Sequence, residues 1–234
     1  MILCIETATE ICSVALCDDN NVIALKESDE GRSHASLLTI FIRDLLLESC
    51  IKAAGLDAVA VSKGPGSYTG LRIGVSAAKG IAYAAEIPLI GIDTTYSMFN
   101  GFYGIAKNRY NFKSGDLFCP VLDARRMEVY SAVFNSDGKS IRNIRAEIMN
   151  NDSFSEFPGS SRLFLFGNGA EKCKNVIKRK NVVYETEYRI SATSMCKPAA
   201  ESFAGHQFED VAYFEPFYLK DFLTSKPVKN VLGN

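Results

Sequence analysis

The residue types best suited to chemistry lie in a few short segments. The densest is Lys63-Gly64-Pro65-Gly66-Ser67-Tyr68-Thr69-Gly70-Leu71-Arg72-Ile73-Gly74, between an apolar run and a helical one. Such a loop can turn backbone N–H groups and a helix dipole toward an anion, with Ser67 and Thr69 as further donors. The same residues also read as a tight strand-to-helix turn capped by Ser67 or Thr69. No Gly-Lys-Ser/Thr follows at the spacing of a Walker A loop. Arg72 falls in the first helical turn, where a cation opposes the helix dipole. It therefore needs a partner, and a carboxylate or a phosphate would serve.

Glu6-Thr7-Ala8-Thr9-Glu10 places an acid and two hydroxyls at a strand-turn-strand corner. Glu6, Thr7 and Thr9 suit a phosphate or Mg²⁺ contact, and they equally suit an ordinary polar turn. Asp123-Ala124-Arg125-Arg126 repeats the arrangement later in the chain: strand, acid, turn, strand. The repetition says more than either copy, and it adds Asp123 and Arg125 to the candidates. Gly167-Asn168-Gly169 opens a helix after a strand, so Gly167 and Gly169 could admit a nucleotide. A lone Gly-x-Gly is a weak signal.

Other chemistries find little support. The chain has two histidines, His34 and His206, and no HxxxH, HExxH or CxxC spacing. A metal centre is therefore not expected. The seven cysteines are odd in number and several sit in apolar runs, as in Met1-Ile2-Leu3-Cys4-Ile5, which points to buried reduced thiols and a cytoplasmic setting rather than disulfides. No stretch approaches membrane-spanning length. The 234 residues carry a net charge of −1, so nothing global attracts nucleic acid. Lys172, Lys174, Lys178, Arg179 and Lys180 form a local basic cluster, most simply a solvated helix face.

These segments need elements to position them. Strands are expected at 2–6, 11–17 and 22–27, joined by tight turns such as Asp18-Asp19-Asn20-Asn21. A helix over 36–54 follows, stopped by Gly55. A strand at 57–62, a helix at 71–85, a strand at 88–92 and a helix at 94–108 complete the first half. A meander feeding βαβ crossovers implies a mixed sheet with helices on its faces. The polar stretch 103–116 reads as a linker. Strands at 117–122, 128–134, 139–148, 163–166 and 182–184 and helices at 169–178 and 193–205 follow. The same order in each half suggests two related lobes: 1–105 and 106–214, with a loosely packed tail at 215–234.

Two helices are apolar on more than one side. Leu38, Phe41, Ile42 and Leu45 form the core stripe of the first, while Ile40, Leu47 and Ile51 lie on another arc. In the second, Ile73, Ala77, Gly80, Ile81 and Ala84 form one stripe. Gly74, Ala78, Ala82 and Ala85 form another, made only of small residues. A second apolar face implies a protein partner or burial by the chain's own second lobe.

The opening Ile2-Leu3-Cys4-Ile5-Glu6-Thr7-Ala8-Thr9-Glu10, the block from Val61 to Gly91, Asp123-Ala124-Arg125-Arg126-Met127-Glu128-Val129-Tyr130 and Glu215-Pro216-Phe217-Tyr218-Leu219-Lys220 together resemble the bacterial TsaB (YeaZ) family. The resemblance spans nearly the whole chain and is most specific in the Gly-Pro-Gly-Ser-Tyr-Thr-Gly block. It implies an α/β fold of the actin/Hsp70/sugar-kinase type, with two lobes. It implies a role in forming N6-threonylcarbamoyladenosine at position 37 of tRNA, as a non-catalytic support for the paralogue TsaD. TsaD carries a metal on an HxxxH pair; alignment puts Thr94 and Met98 there. The implied partners are TsaD, with the ATPase TsaE, a second copy when alone, and tRNA only through the complex. His34, Ile40, Leu47, Ile51, Arg72, Gly74, Ala78 and Ala82 become the expected partner interface, and ATP or ADP with Mg²⁺ the expected ligand there. The family usually opens with Asp where this chain has Glu6. The alternative reading is a small kinase or ATPase of the same fold, with Glu6 and Asp123 as its acids.

Overall fold

A computed structural model describes residues 1–30 and 34–220. The first sheet contains β1 (Ile2–Glu6), β2 (Cys12–Asp18), β3 (Asn21–Ser28), β4 (Ala58–Gly64) and β5 (Leu89–Asp93) in the order β3-β2-β1-β4-β5. β1, β2 and β3 pair antiparallel, while β4 runs parallel to both β1 and β5. The second sheet contains β6 (Leu117–Asp123), β7 (Glu128–Phe134), β8 (Ser140–Ile148), β9 (Leu163–Phe166) and β10 (Val182–Glu185). Its order, β10-β9-β6-β7-β8, and its pairing directions repeat the first sheet strand for strand. The two halves therefore share one architecture, an actin-like pair of lobes. Glu6 at the end of β1 corresponds to Asp123 at the end of β6.

The helices cover the faces that the strand sequences leave apolar. β1 is buried along its whole length and β2 nearly so, as expected of central strands covered on both sides. α1 (His34–Glu48) and α2 (Tyr68–Ala85) cover one face, joining Leu3, Ile5, Val14 and Leu16 to Leu38, Leu45, Val75 and Ala78. α1 ends at Glu48, short of the expected Ala54, and its last residues give way to a turn and a 3₁₀ turn at Ala53–Gly55. α3 (Thr94–Ala106) lies between the sheets, where Met98, Phe99 and Phe102 meet Phe118, Phe134, Phe164 and Phe166. α4 (Ala170–Lys174) is shorter than the expected 169–178 and packs Ala170 and Cys173 on the far face of the second sheet.

The lobes are not consecutive in sequence. A 3₁₀ turn at Ala192–Met195 and α5 (Cys196–Ala204) return to cover the first sheet, with Ala192, Met195 and Ala199 against Cys4, Ala15, Ala60 and Ile90. Phe214 joins the opposite core beside α2. The expected boundary at 105 thus misses the return of residues 192–214. It also hid a covalent tie: Cys17 of β2 and Cys196 of α5 form a disulfide, Cα to Cα 5.5 Å, where reduced thiols were expected. Partners 179 positions apart are invisible to local pattern. Residues 215–220 pack against both lobes rather than trailing loosely, while 221–234 lie outside the described residues. Among the described residues no helix is long and apolar enough to cross a membrane.

Candidate functional site

The ends of β1, β4, β6 and β9 converge on a cleft of about 750 Å³ between the lobes. The loop after β4 enters it as expected. Ser67 caps α2 by accepting from Gly70 N at 3.2 Å, and Ser67 and Thr69 line the wall. Ser67 N donates to Ala8 O at 2.7 Å, which docks this loop onto the β1–β2 corner. That docking has a consequence for the corner: Thr9 and Glu10 reach the cleft, but Glu6 and Thr7 do not.

Glu6 and Thr7 are fully buried beneath the loop. Glu6 accepts from Ala8 N at 2.7 Å and from the Ser62 hydroxyl. Burial pushes its carboxyl up to about 7, although the Ser62, Ala8 and Thr7 hydrogen bonds pull the other way. A contact between Glu6 or Thr7 and a ligand in the cleft, expected from their position at a strand end, is corrected by this burial. The Glu6 carboxylate is taken up inside the chain by Ala8 N and the Ser62 hydroxyl.

The second lobe supplies Asp123 and Arg125, both on the cleft wall. Asp123 accepts from Arg125 N at 2.6 Å and from Lys172 Nζ at 2.7 Å. Lys172 also donates to the carbonyls of Arg126 and Glu128, so it closes the β6–β7 turn. Arg179 likewise donates inward, to the carbonyls of Phe154, Phe157 and Ser161, and the basic cluster loses two of its members to structure. Gly167 and Gly169 stay behind the wall, and Asn168 between them reaches the cleft. Its Oδ1 accepts from Asp123 N at 3.0 Å and its Nδ2 donates to Glu10 at 3.1 Å, joining the lobes.

The expected partner interface divides. Ile40 and Leu47 are 40% and 68% exposed on α1. Gly74, Ala78 and Ala82 point inward instead: a Cβ on Gly74 would overlap Thr7 Oγ1, and Ala78 and Ala82 sit in the core. Small residues on α2 thus allow close seating on this chain's own sheet. The outward stripe is the other one, with Ile73, Ala77 and Ile81 only half-buried. Ile51 lies beyond the end of α1 and packs against the core. His34 is the first residue of α1 and lines the cleft. Arg72 has aromatic partners within the chain, Tyr68 and Tyr218. Its guanidinium lies 4.1 Å from the Tyr68 ring centroid and its Nε donates to Tyr218 Oη at 3.1 Å.

Sequence reasoning missed Glu10, Asn168, Tyr68, Tyr218 and Lys220 as cleft residues. The repeated strand-end pattern could have found Asn168, since it follows β9 as the Ser67 loop follows β4. Nothing local marks Tyr218 or Lys220. As a ligand site the cleft suits an anion, with Ser67, Thr69 and Arg125 facing it. It does not suit Mg²⁺: Glu6 is sealed, Asp123 is paired to Lys172, and Glu10 is bound to Asn168. Among the described residues no cluster of three or more His, Cys, Asp and Glu is arranged to hold a metal. Thr94 and Met98 are both buried on α3.

Two lobes of repeated topology around a cleft define a protein of the actin-like class. The solved YeaZ from Pseudomonas aeruginosa shares this fold, with a TM-score of 0.80 over 93% of this chain and 99% of that one, at 23% identity. Residues 27–222 match the family model described as TsaD, tRNA N6-adenosine threonylcarbamoyltransferase. The tRNA threonylcarbamoyladenosine biosynthesis protein TsaB of Escherichia coli is 31% identical over 229 residues, 94% of each chain. TsaB of Bacillus subtilis is 32% identical over 133 residues, 57% of this chain and 54% of that one. The chain belongs to the TsaD family, on its TsaB (YeaZ) branch.

Proposed function

We propose that this chain acts in tRNA threonylcarbamoyladenosine synthesis as a scaffold subunit, a copy of the TsaD fold that supports an active copy. Membership of the TsaB branch supports the pathway. The observation that carries the scaffold role is the outer face of α1 and α2: Ile40 and Leu47 stand exposed on α1 and Tyr83 on α2, with Ile73, Ala77 and Ile81 half-buried on α2. Exposed and half-buried apolar residues grouped along the outer side of this helix pair suit burial by a partner. The partner proposed is TsaD, with TsaE joining the pair, a second copy of this chain using the same face in isolation, and tRNA reaching it only through the complex. Thr94 and Met98, at the positions aligned with the TsaD metal ligands, support a chain that contributes no metal chemistry of its own. ATP or ADP with Mg²⁺ is placed by this reading at the partner interface, where TsaD can supply ligands that Glu6, Glu10 and Asp123 do not. The kinase or ATPase alternative is not favoured, since its first acid, Glu6, is sealed from the cleft.

The test is modification of unmodified tRNA by purified TsaD and TsaE with supplied threonylcarbamoyl-adenylate, with and without this chain. Product is expected to require the chain and to be lost with the double variant Ile40→Asp, Leu47→Asp. Because both side chains are exposed, the variant itself is expected to keep its stability within about 0.5 kcal/mol per site. Product formation indifferent to the chain would overturn the scaffold reading.

A further inference from the structure

Beyond Phe214 the chain leaves the first lobe's core and crosses the mouth of the cleft. Phe217 N–H donates to Lys63 O at 2.6 Å. Tyr218 packs against Tyr68 with ring centroids 4.9 Å apart and planes tilted by 38°, and accepts from Arg72 Nε at 3.1 Å. Gly64, at φ +117°, lets Phe217 O come within 2.5 Å of where a Cβ would stand. A side chain there would meet both a left-handed backbone and that carbonyl. Lys63, Gly64, Tyr68 and Arg72 all belong to β4 or α2 of the first lobe. Two residues past Tyr218, Lys220 forms an ion pair with Glu128 of β7, in the second lobe. Residues 217–220 all line the cleft.

The two ends of this crossing are unequal. At the first lobe it is held by a main-chain hydrogen bond, a tilted ring contact, a side-chain hydrogen bond and a glycine seat. At the second lobe it is held by an ion pair whose side chains are 46% and 20% exposed. Such a pair is weak and is screened by salt. The Asn168–Glu10 hydrogen bond is a second polar tie across the cleft.

We infer that residues 215–220 form a strap that travels with the first lobe and restrains the second through Lys220. The cleft opens when that pair parts, while the aromatic end stays seated. The strap is a property of the isolated chain and stands whether or not the chain serves as a scaffold.

Pulsed dipolar spectroscopy on the full chain tests it. One spin label goes on Cys50, a free and exposed cysteine, and the other on a cysteine introduced by Asp137→Cys at the exposed turn between β7 and β8. The parent chain is expected to give a narrow distance distribution. Lys220→Ala, and separately a chain ending at Glu215, are expected to broaden it and shift its mean. The charge swap Lys220→Glu with Glu128→Lys is expected to restore the narrow distribution at low salt. Thermal unfolding of Lys220→Ala alongside confirms that the fold is intact. Distributions from Lys220→Ala and the shortened chain that match the parent would overturn the strap, and so would a swap that fails to restore it.

Discussion

Glu6 shows how much one residue's role depends on where its carboxyl lies. Its type and its place at a strand end were readable, and both suggested a ligand contact. Its burial was not readable, because the atoms that seal it come from Ala8, Ser62 and the loop at Ser67. The carboxyl titrates near 7 in the folded chain against an ordinary value of 4.5. Between those values the folded chain holds a proton that the unfolded chain releases. The stability this group contributes is therefore complete below about 4.5 and is lost as pH rises through about 7. The loss by pH 8 is on the order of 3 kcal/mol. Glu6→Gln keeps an acceptor for Ala8 N and an amide for the Ser62 hydroxyl, and should flatten this dependence. Urea midpoints measured from pH 5 to 8.5 for both proteins check it, since their difference isolates Glu6 from other titrating groups. Parallel curves would show that the buried carboxyl does not titrate in this range.

At the scale of the element, α2 carries the sharpest lesson. Its stripes were legible from spacing, but their inward and outward assignment was reversed. A stripe of Gly and Ala allows close approach equally to a partner helix or to a sheet, and composition does not choose between them. The structure places Gly74 against Thr7 of the β1–β2 corner. Alanine at an open helix position gains about 1 kcal/mol over glycine. Overpacking costs about 1–3 kcal/mol. Gly74→Ala is therefore expected to be net destabilising, and Thr7→Ala should relieve much of the loss. A double-mutant cycle read by urea unfolding checks this coupling. Additive effects would mean that α2 seats less closely than the packing requires. The element ends followed similar logic: α1 stopped early, with Cys50 at φ +55° and Ile51 N bonded back to Leu46 O, an outcome the helical periodicity of 36–54 did not contain.

At the scale of the whole molecule, the lobes are interleaved. The face of the first sheet that carries Cys4, Ala15, Ala60 and Ile90 is covered by residues more than 100 positions away. A fragment of residues 1–105 leaves that face in water and also lacks Phe214 from the opposite core. It is expected to bind anilinonaphthalene sulfonate and to unfold without a cooperative transition, while the full chain unfolds cooperatively. A sharp transition from the fragment would show that α5 is dispensable to the first lobe.

The sequence by itself determined the strand and helix order, the doubled topology and the loop that caps α2, because these follow from short-range periodicity, turn chemistry and capping. It also carried enough of the Gly64–Gly74 block and the Asp123 turn to mark the family. Only the tertiary structure decided that Glu6 and Thr7 are sealed, that Asn168 and Lys220 face the cleft, that Arg72 lies on tyrosines, and that Cys17 meets Cys196. Apart from the Arg72–Tyr68 contact, one turn apart on α2, each of those outcomes joins residues far apart in the chain. What they meet is set by how the two sheets and the returning C-terminal segment pack, and no local pattern encodes that.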